Sequence, residues 1–511
     1  MAESDPHAQK IIPQPYQGVL AEPWSLGKLW RMFASFGPAA IVASLAIGAG
    51  ETIVVVRAGS WAGYDLLWLV LLSVLTKGLF VTYLLGRYTA MSGEPIGQRL
   101  ARLPGPRGWL LITLVVLEMI AAGPLWAAIA RPCGDLLHHL LFTGSSVANA
   151  GLWSEPLIER LLTTLFVAAA LGLSMLLTFE RLERQQVLIC LILVVGTTIG
   201  TLIVRPDFAA ALKGSFAFGH VPEIPPWAPE GVRTQPLLNL ATVFGYVGGS
   251  VLGYVVYANW ISLHGWGLTS HPQIDEIRRR AAKGRPADYL PDDPAQIARI
   301  RRSVRPLKWD VGCGAIVLWV VSASFMMAGA AVLYPLLQAG KLDAAFAGWS
   351  LLTDQAHIWS NIHPSLTWVY YLCVLIALWG TLQAFPEVYS RVIVDFGRSI
   401  RPGWSWTRRR VQAVVSLYVF GSCSLIVWSD LQFDMLIHVV AFLTTNMAIA
   451  IAMLAALYLN FQLPPAYRTR WWMLVGGVAS VILLTIATLC SGYGLWEELR
   501  QAYSASASAA L

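Results

Sequence analysis

Residues 36–64 read FGPAAIVASLAIGAGETIVVVRAGSWAGY. The segment is apolar enough to span a membrane, yet Gly48-Ala49-Gly50 interrupts its middle and a carboxylate, Glu51, follows at once. An unsatisfied backbone group in hydrocarbon costs several kcal/mol, so a span unwinds only where protein or a water-filled cavity surrounds it. An ionisable residue at such a break marks a functional site by default. A second glycine-rich interruption lies at Gly245–Gly253, in FGYVGGSVLGY. Paired broken helices at matching places in two halves of a chain point to a transporter's binding site.

Composition agrees. The 511 residues are 56% hydrophobic and only 13% charged, with mean hydropathy +0.59. Soluble domains carry about a quarter charged residues, so the chain reads as an all-α, multi-pass membrane protein. Spans are expected at about 33–58, 64–90, 108–131, 156–178, 183–204, 236–264, 308–335, 366–396, 409–428, 434–461 and 471–492, eleven in all. The net charge of +7 comes from basic residues in alternate connections, which membrane topology explains without a nucleic-acid partner. The six cysteines show neither metal-ligand spacing nor a disulfide framework.

Arg and Lys crowd the second-to-third, fourth-to-fifth, sixth-to-seventh, eighth-to-ninth and tenth-to-eleventh connections, while 143–157 has none. By the positive-inside rule the N-terminus is cytoplasmic, and an odd number of spans puts the C-terminus outside. The expected organisation is a loose cytoplasmic tail at 1–32, five spans at 33–204 and a proline-rich external loop at 205–235. A second five-span set follows at 236–461, with a basic cytoplasmic loop at 265–306. An eleventh span and a low-complexity external tail complete it at 462–511. Each five-span set opens on a broken helix, and an odd number per set inverts the second relative to the first, a 5+5 inverted repeat.

Several residues can carry chemistry at the breaks. Glu51 fits an oxygen ligand for a cation, a proton carrier, or a cap on the second half-helix. Thr52, Ser250 and Tyr254 offer hydroxyls, and backbone carbonyls around 47–49 and 251–253 are expected to complete a cation site. His438 in span ten suits a ligand, a relay or a satisfied core residue, with Thr444-Thr445-Asn446 beside it as a polar kink. Lys77 in span two and Glu118 in span three lie at membrane depth, where they pair with each other, pair with Glu51, or carry protons. Glu387, Arg391 and Asp395 fall at i, i+4 and i+8 on one face of span eight, as an inner-vestibule network.

These stretches resemble the Nramp family, proton-coupled divalent-metal transporters with the LeuT-like fold. The resemblance rests on 36–72 with its Ala58-Gly59, Gly63-Tyr64 and Leu66-Leu67-Trp68 exit, on Trp126–Arg131, on Arg205–Gly214, on Phe244–Ile261, and on Arg391–Phe396. It covers about 33–461. It implies transport of a cation by alternating access in the cell (inner) membrane, with protons as coupling ions and no resident cofactor. The metal-binding motifs depart from the family's pattern. Its Asp-Pro-Gly-Asn is here Gly48-Ala49-Gly50-Glu51, and its Met-Pro-His is Leu252-Gly253-Tyr254. The family's third-span carboxylates fall at Ile120 and Gly123, with Glu118 half a turn away, and His438 stands near a family glutamine. Without a thioether the site loses its preference for soft metals. One carboxylate with hydroxyls suits a harder divalent ion, or the ammonium of a small organic solute. Outside transport, the same chain reads as a membrane sensor or scaffold that signals through the 265–306 loop.

Overall fold

The computed structural model describes residues 10–34, 48, 50–142, 154–176, 179–283, 287–342, 349–360, 363–401, 403–429 and 431–509. Among them every regular element is helical, and nine helices are long and apolar enough to cross a membrane. Span five adds a helix at Phe179–Val204. The first half of span one, with Ala49, lies outside the described residues, and the expectation for it stops there.

Burial ranks the spans. Most of span six is enclosed, 83% of its apolar window, against 28% for spans four and eleven. Spans four and eleven therefore form the rim. Every residue from Gly50 to Ala62 is buried, including Arg57, whose charge is met by Asp434 rather than by solvent. Spans one and six are the bundle's centre.

Span six is broken as expected. Its first half, Pro236–Tyr246, ends before Val247, and its second half, Val251–His264, starts after Ser250. Gly248 and Gly249 take φ of 98° and 56°, conformations that carry no penalty for a residue without a Cβ. In span one, Gly48 is non-helical, and Gly50–Val55 forms a π-helical turn that runs into Val56–Ala62. The two breaks are in contact: a Cβ on Gly50 would lie 2.4 Å from the Tyr246 carbonyl oxygen.

Further π-helical turns interrupt span two at Val74–Val81, span seven at Gly329–Leu333 and span ten at Ala441–Met447. The last is the polar kink expected at Thr444-Thr445-Asn446. The loop at 205–235 carries short helices at Phe208–Phe216 and Glu230–Thr234. The basic loop is partly helical, at Ile274–Lys283 and Pro294–Ser303.

Both tails depart from expectation. From residue 10 the N-terminal tail is docked: the Ile11 amide donates to the Tyr289 carbonyl at 3.0 Å, and His271 Nε2 lies 2.9 Å from the Ile12 carbonyl. Backbone pairing with the basic loop supplies the order that the tail's composition does not. At the other end the helix of span eleven continues through Ala509, because alanine and serine extend an existing helix at small cost.

Gly50→Ala is expected to destabilise the protein by about 1–3 kcal/mol, because a backbone carbonyl cannot move aside. Gly253→Ala, whose Cβ meets no atom within 4 Å, is expected to leave the midpoint unchanged. Thermal unfolding of the two purified variants checks the contrast.

Candidate functional site

Unwinding span six frees backbone groups in a dry interior, and each has to find a partner. The orphaned carbonyls of the first half-helix are met from span two. Ser73 Oγ lies 2.7 Å from the Phe244 carbonyl and 2.9 Å from that of Val247. Lys77 Nζ donates to the carbonyls of Phe244 at 2.7 Å and Gly245 at 2.6 Å. A cation at a helix C-terminus is where the macrodipole favours it, and the Phe244 ring also lies 5.3 Å from this ammonium. The Tyr254 hydroxyl donates to the Gly248 carbonyl at 2.5 Å.

The amide side of the break is met from span one. Gly248 N–H donates to Glu51 Oε1 at 3.3 Å, and Ser322 Oγ of span seven lies 3.5 Å from the same oxygen. Glu51 is fully buried, and its Oε2 is buried without a hydrogen-bond partner. Thr52 turns back into its own break, its Oγ1 donating to the Gly48 carbonyl at 2.6 Å. Glu51 and Lys77 are electrostatic neighbours, but no direct ion pair joins them among the described residues.

Glu118 approaches the other end of the same unwound segment. Its Oε1 accepts from the Tyr389 hydroxyl of span eight at 2.8 Å, and the hydroxyls of Ser250 and Thr444 lie beside it. Its Oε2 is also buried and unpartnered. Two carboxylates therefore attend Val247–Ser250. Lys77 and Glu118, which the sequence allows as a pair, each turn to a different partner.

Other anticipated residues are placed as follows. Leu252 is fully buried in the core. Gly253 is half-exposed with open space beyond its Cα. Val251–Gly253 start the second half-helix, so the free carbonyls of the break are those of 244–248 instead. His438 Nδ1 is 2.9 Å from Glu498 of span eleven. In the same helix Asp434 receives both guanidinium nitrogens of Arg57 from span one, one of them at 2.9 Å. Glu387 accepts from Arg391 at 2.8 Å and pairs with Arg408 at 3.3 Å. Asp395 is exposed and meets Asn259 of span six at 3.5 Å.

Ser322, Tyr389 and Arg57 were not singled out from the sequence. A serine or tyrosine in an apolar helix has no local signal separating a site partner from a back-bonding residue. Arg57, a charge at membrane depth, did carry one. Among the described residues no three of His, Cys, Asp and Glu gather as a metal cage.

Comparison with known proteins gives the frame. The family model for natural resistance-associated macrophage protein-like proteins, Nramp, matches residues 39–496. The divalent metal cation transporter MntH of Chromohalobacter salexigens is 28% identical over 318 residues, a match that takes in 62% of this chain and 60% of the relative's length. Two mutant structures of the manganese transporter of Eremococcus coleocola superpose with TM-scores of 0.59 and 0.60 at 15% and 14% identity. Each superposition covers 92% of this chain and 88% of that one. The shared architecture is the LeuT-like one, in which two sets of five helices each open on an interrupted span. A model match from span one to span eleven makes this chain a member of the Nramp family, one that keeps the broken-helix frame with Glu51 and Tyr254 at its centre.

Proposed function

We propose that this protein is a secondary transporter that carries a divalent metal ion across the cell (inner) membrane by alternating access. The observation that carries the reading is the fully buried Glu51 carboxylate, held by the span-six break through one oxygen and unpartnered at the other. A buried acid with a free oxygen is costly unless something positive or a proton fills the place. Oxygen donors with no thioether nearby suit a hard ion better than a soft one.

In this reading Glu51 is the charged ligand, and the hydroxyl of Ser322 completes the polar wall. Lys77 occupies the half-helix end that would otherwise attract a cation, so it offsets the charge of Glu51 in the empty carrier and competes with cargo. Protons are the coupling ions, with Glu118 the group placed to accept one at the other end of the break.

The two ends of the bundle differ. Arg57–Asp434 and His438–Glu498 tie spans one, ten and eleven together on one side of the break, with Arg57 and His438 buried. Towards the basic loops, Gly253 and Asn259 are half-exposed and Asp395 is exposed. This arrangement suits a carrier closed on the outside, with cargo leaving along span six towards the cytoplasm past Asp395. The N-terminus is then cytoplasmic and the C-terminus external.

Three outcomes are expected. In proteoliposomes, Glu51→Gln abolishes uptake of Mg²⁺ and Mn²⁺ while gel filtration and the thermal midpoint show a folded protein. Uptake equal to that of the parent would end the ligand role, and absence of flux in the parent with any cation or amine would favour a sensor. Lys77→Gln removes the competing charge and tightens cation binding by about tenfold in calorimetry; unchanged or weaker binding would show that its charge does not oppose cargo. A cysteine placed at Arg279 in the basic loop is labelled by an impermeant maleimide only from the cytoplasmic side, and labelling from outside would reverse the topology.

A further inference from the structure

Away from the broken helices, a cavity of about 480 Å³ opens where the ends of spans two, seven and eleven meet the basic turns. Leu79 and Met473 form an apolar wall, and Trp472 stands at the rim. The charges around it are all of one sign. Arg87 comes from span two, and Arg468 and Arg470 from the turn before span eleven. Arg301, Arg302, Arg305 and Lys308 come from the junction of the basic loop with span seven. No acid lines it, and none of these seven cations forms an ion pair among the described residues.

Arg87 forms the buried floor of the cluster, while the other six cations are exposed around it, two of them tied to backbone carbonyls. Arg87 is buried, with its guanidinium donating to Asn460 Oδ1 at 2.7 Å and to the Tyr467 carbonyl. Arg301 donates to the Ala466 carbonyl at 2.6 Å, and Arg468 Nε to the Leu463 carbonyl at 3.1 Å. These neutral carbonyl and amide partners fix positions without cancelling charge. Arg301, Arg305 and Lys308 follow at i, i+4 and i+7, one face of the helical path into span seven. Lys308 lies within repulsive range of Arg470, Arg87, Arg305 and Arg301. Like charges brought together and left uncompensated repel unless an anion sits among them.

We propose that this cavity binds the phosphate headgroup of an anionic phospholipid. Planar guanidinium groups match phosphate oxygens in pairs, and basic pockets between spans on the cytoplasmic side suit such headgroups. The depth favours a lipid over a soluble anion: Trp471 and Trp472, 77% and 47% exposed, start span eleven, and tryptophan marks the headgroup level. Leu79 and Met473 give the cavity an apolar side against which the start of an acyl chain can lie. A lipid held there would brace span two, which carries Lys77, against span seven, which carries Ser322.

The test uses the full-length protein in nanodiscs of phosphatidylcholine mixed with phosphatidylglycerol, with retained lipid counted by native mass spectrometry. The triple variant Arg301→Gln, Arg305→Gln, Lys308→Gln is compared with a triple of equal charge outside the cavity, Arg279→Gln, Arg299→Gln, Arg410→Gln. The parent and the outside triple are expected to retain phosphatidylglycerol, and the cavity triple to retain about fivefold less. The exposed Arg470→Gln alone gives a smaller loss in the same direction, should the triple fold poorly. Equal retention by the parent and the cavity variants, or equal loss in both triples, would overturn the site. Displacement of the lipid by about 10 mM inorganic phosphate, with a rise in thermal midpoint in lipid-free detergent, would replace the lipid with a soluble anion.

Discussion

The structure depends on satisfying the backbone that span six exposes when it unwinds. The first half-helix ends in carbonyls that have no next turn, and the second begins in amides that have no previous one. In the middle of an apolar bundle neither set can reach bulk water. Span two answers the carbonyls with Ser73 and Lys77, and span one answers the Gly248 amide with Glu51. The cation lies where the macrodipole of the first half favours it, at a helix C-terminus, and the acid meets an amide of the unwound link. A lysine and a glutamate that look like liabilities in separate helices become partners for the exposed backbone of a third.

The helices that supply these groups are themselves irregular. Glu51 sits in the π-helical turn of span one, Lys77 in that of span two, and Thr444 in that of span ten. A π turn inserts a residue and rotates the side chains after it, which re-aims a polar group without breaking the span. Asn446 uses its position in the same way, donating to the Ala241 carbonyl at 3.1 Å and to Ser491 Oγ at 3.2 Å. The irregular turns thus converge on span six from three sides. The glycine contact between Gly50 and the Tyr246 backbone holds the two breaks together.

Membership of the Nramp family gives a frame and leaves the cargo to local chemistry. The methionine and aspartate that suit a transition metal are replaced by Leu252 and Gly48. In the proposed site what remains is oxygen: Glu51, Ser322 and the backbone. In the proposed reading the nearby ammonium of Lys77 lowers the attraction for any cation, so the site would hold cargo by a balanced pair of charges in place of a soft-ligand cage.

Hydropathy determined the bundle. Eleven apolar runs, alternating basic turns and two glycine interruptions depend only on local composition, and these are the terms on which a chain partitions into a bilayer. The break of span six was legible because Gly248-Gly249 can adopt positive φ at no cost. The identity of each partner was not. Whether Lys77 meets Glu118, Glu51 or a bare carbonyl depends on the rotation of span two against span six, and a π turn shifts that rotation with no mark in the apolar pattern. His438 was drawn to Glu498 across 60 residues, and the N-terminal tail was ordered by the Tyr289 carbonyl. Such pairings are long-range and directional. Sequence alone settles which residues must be buried; only packing settles what each buried polar group meets when it arrives.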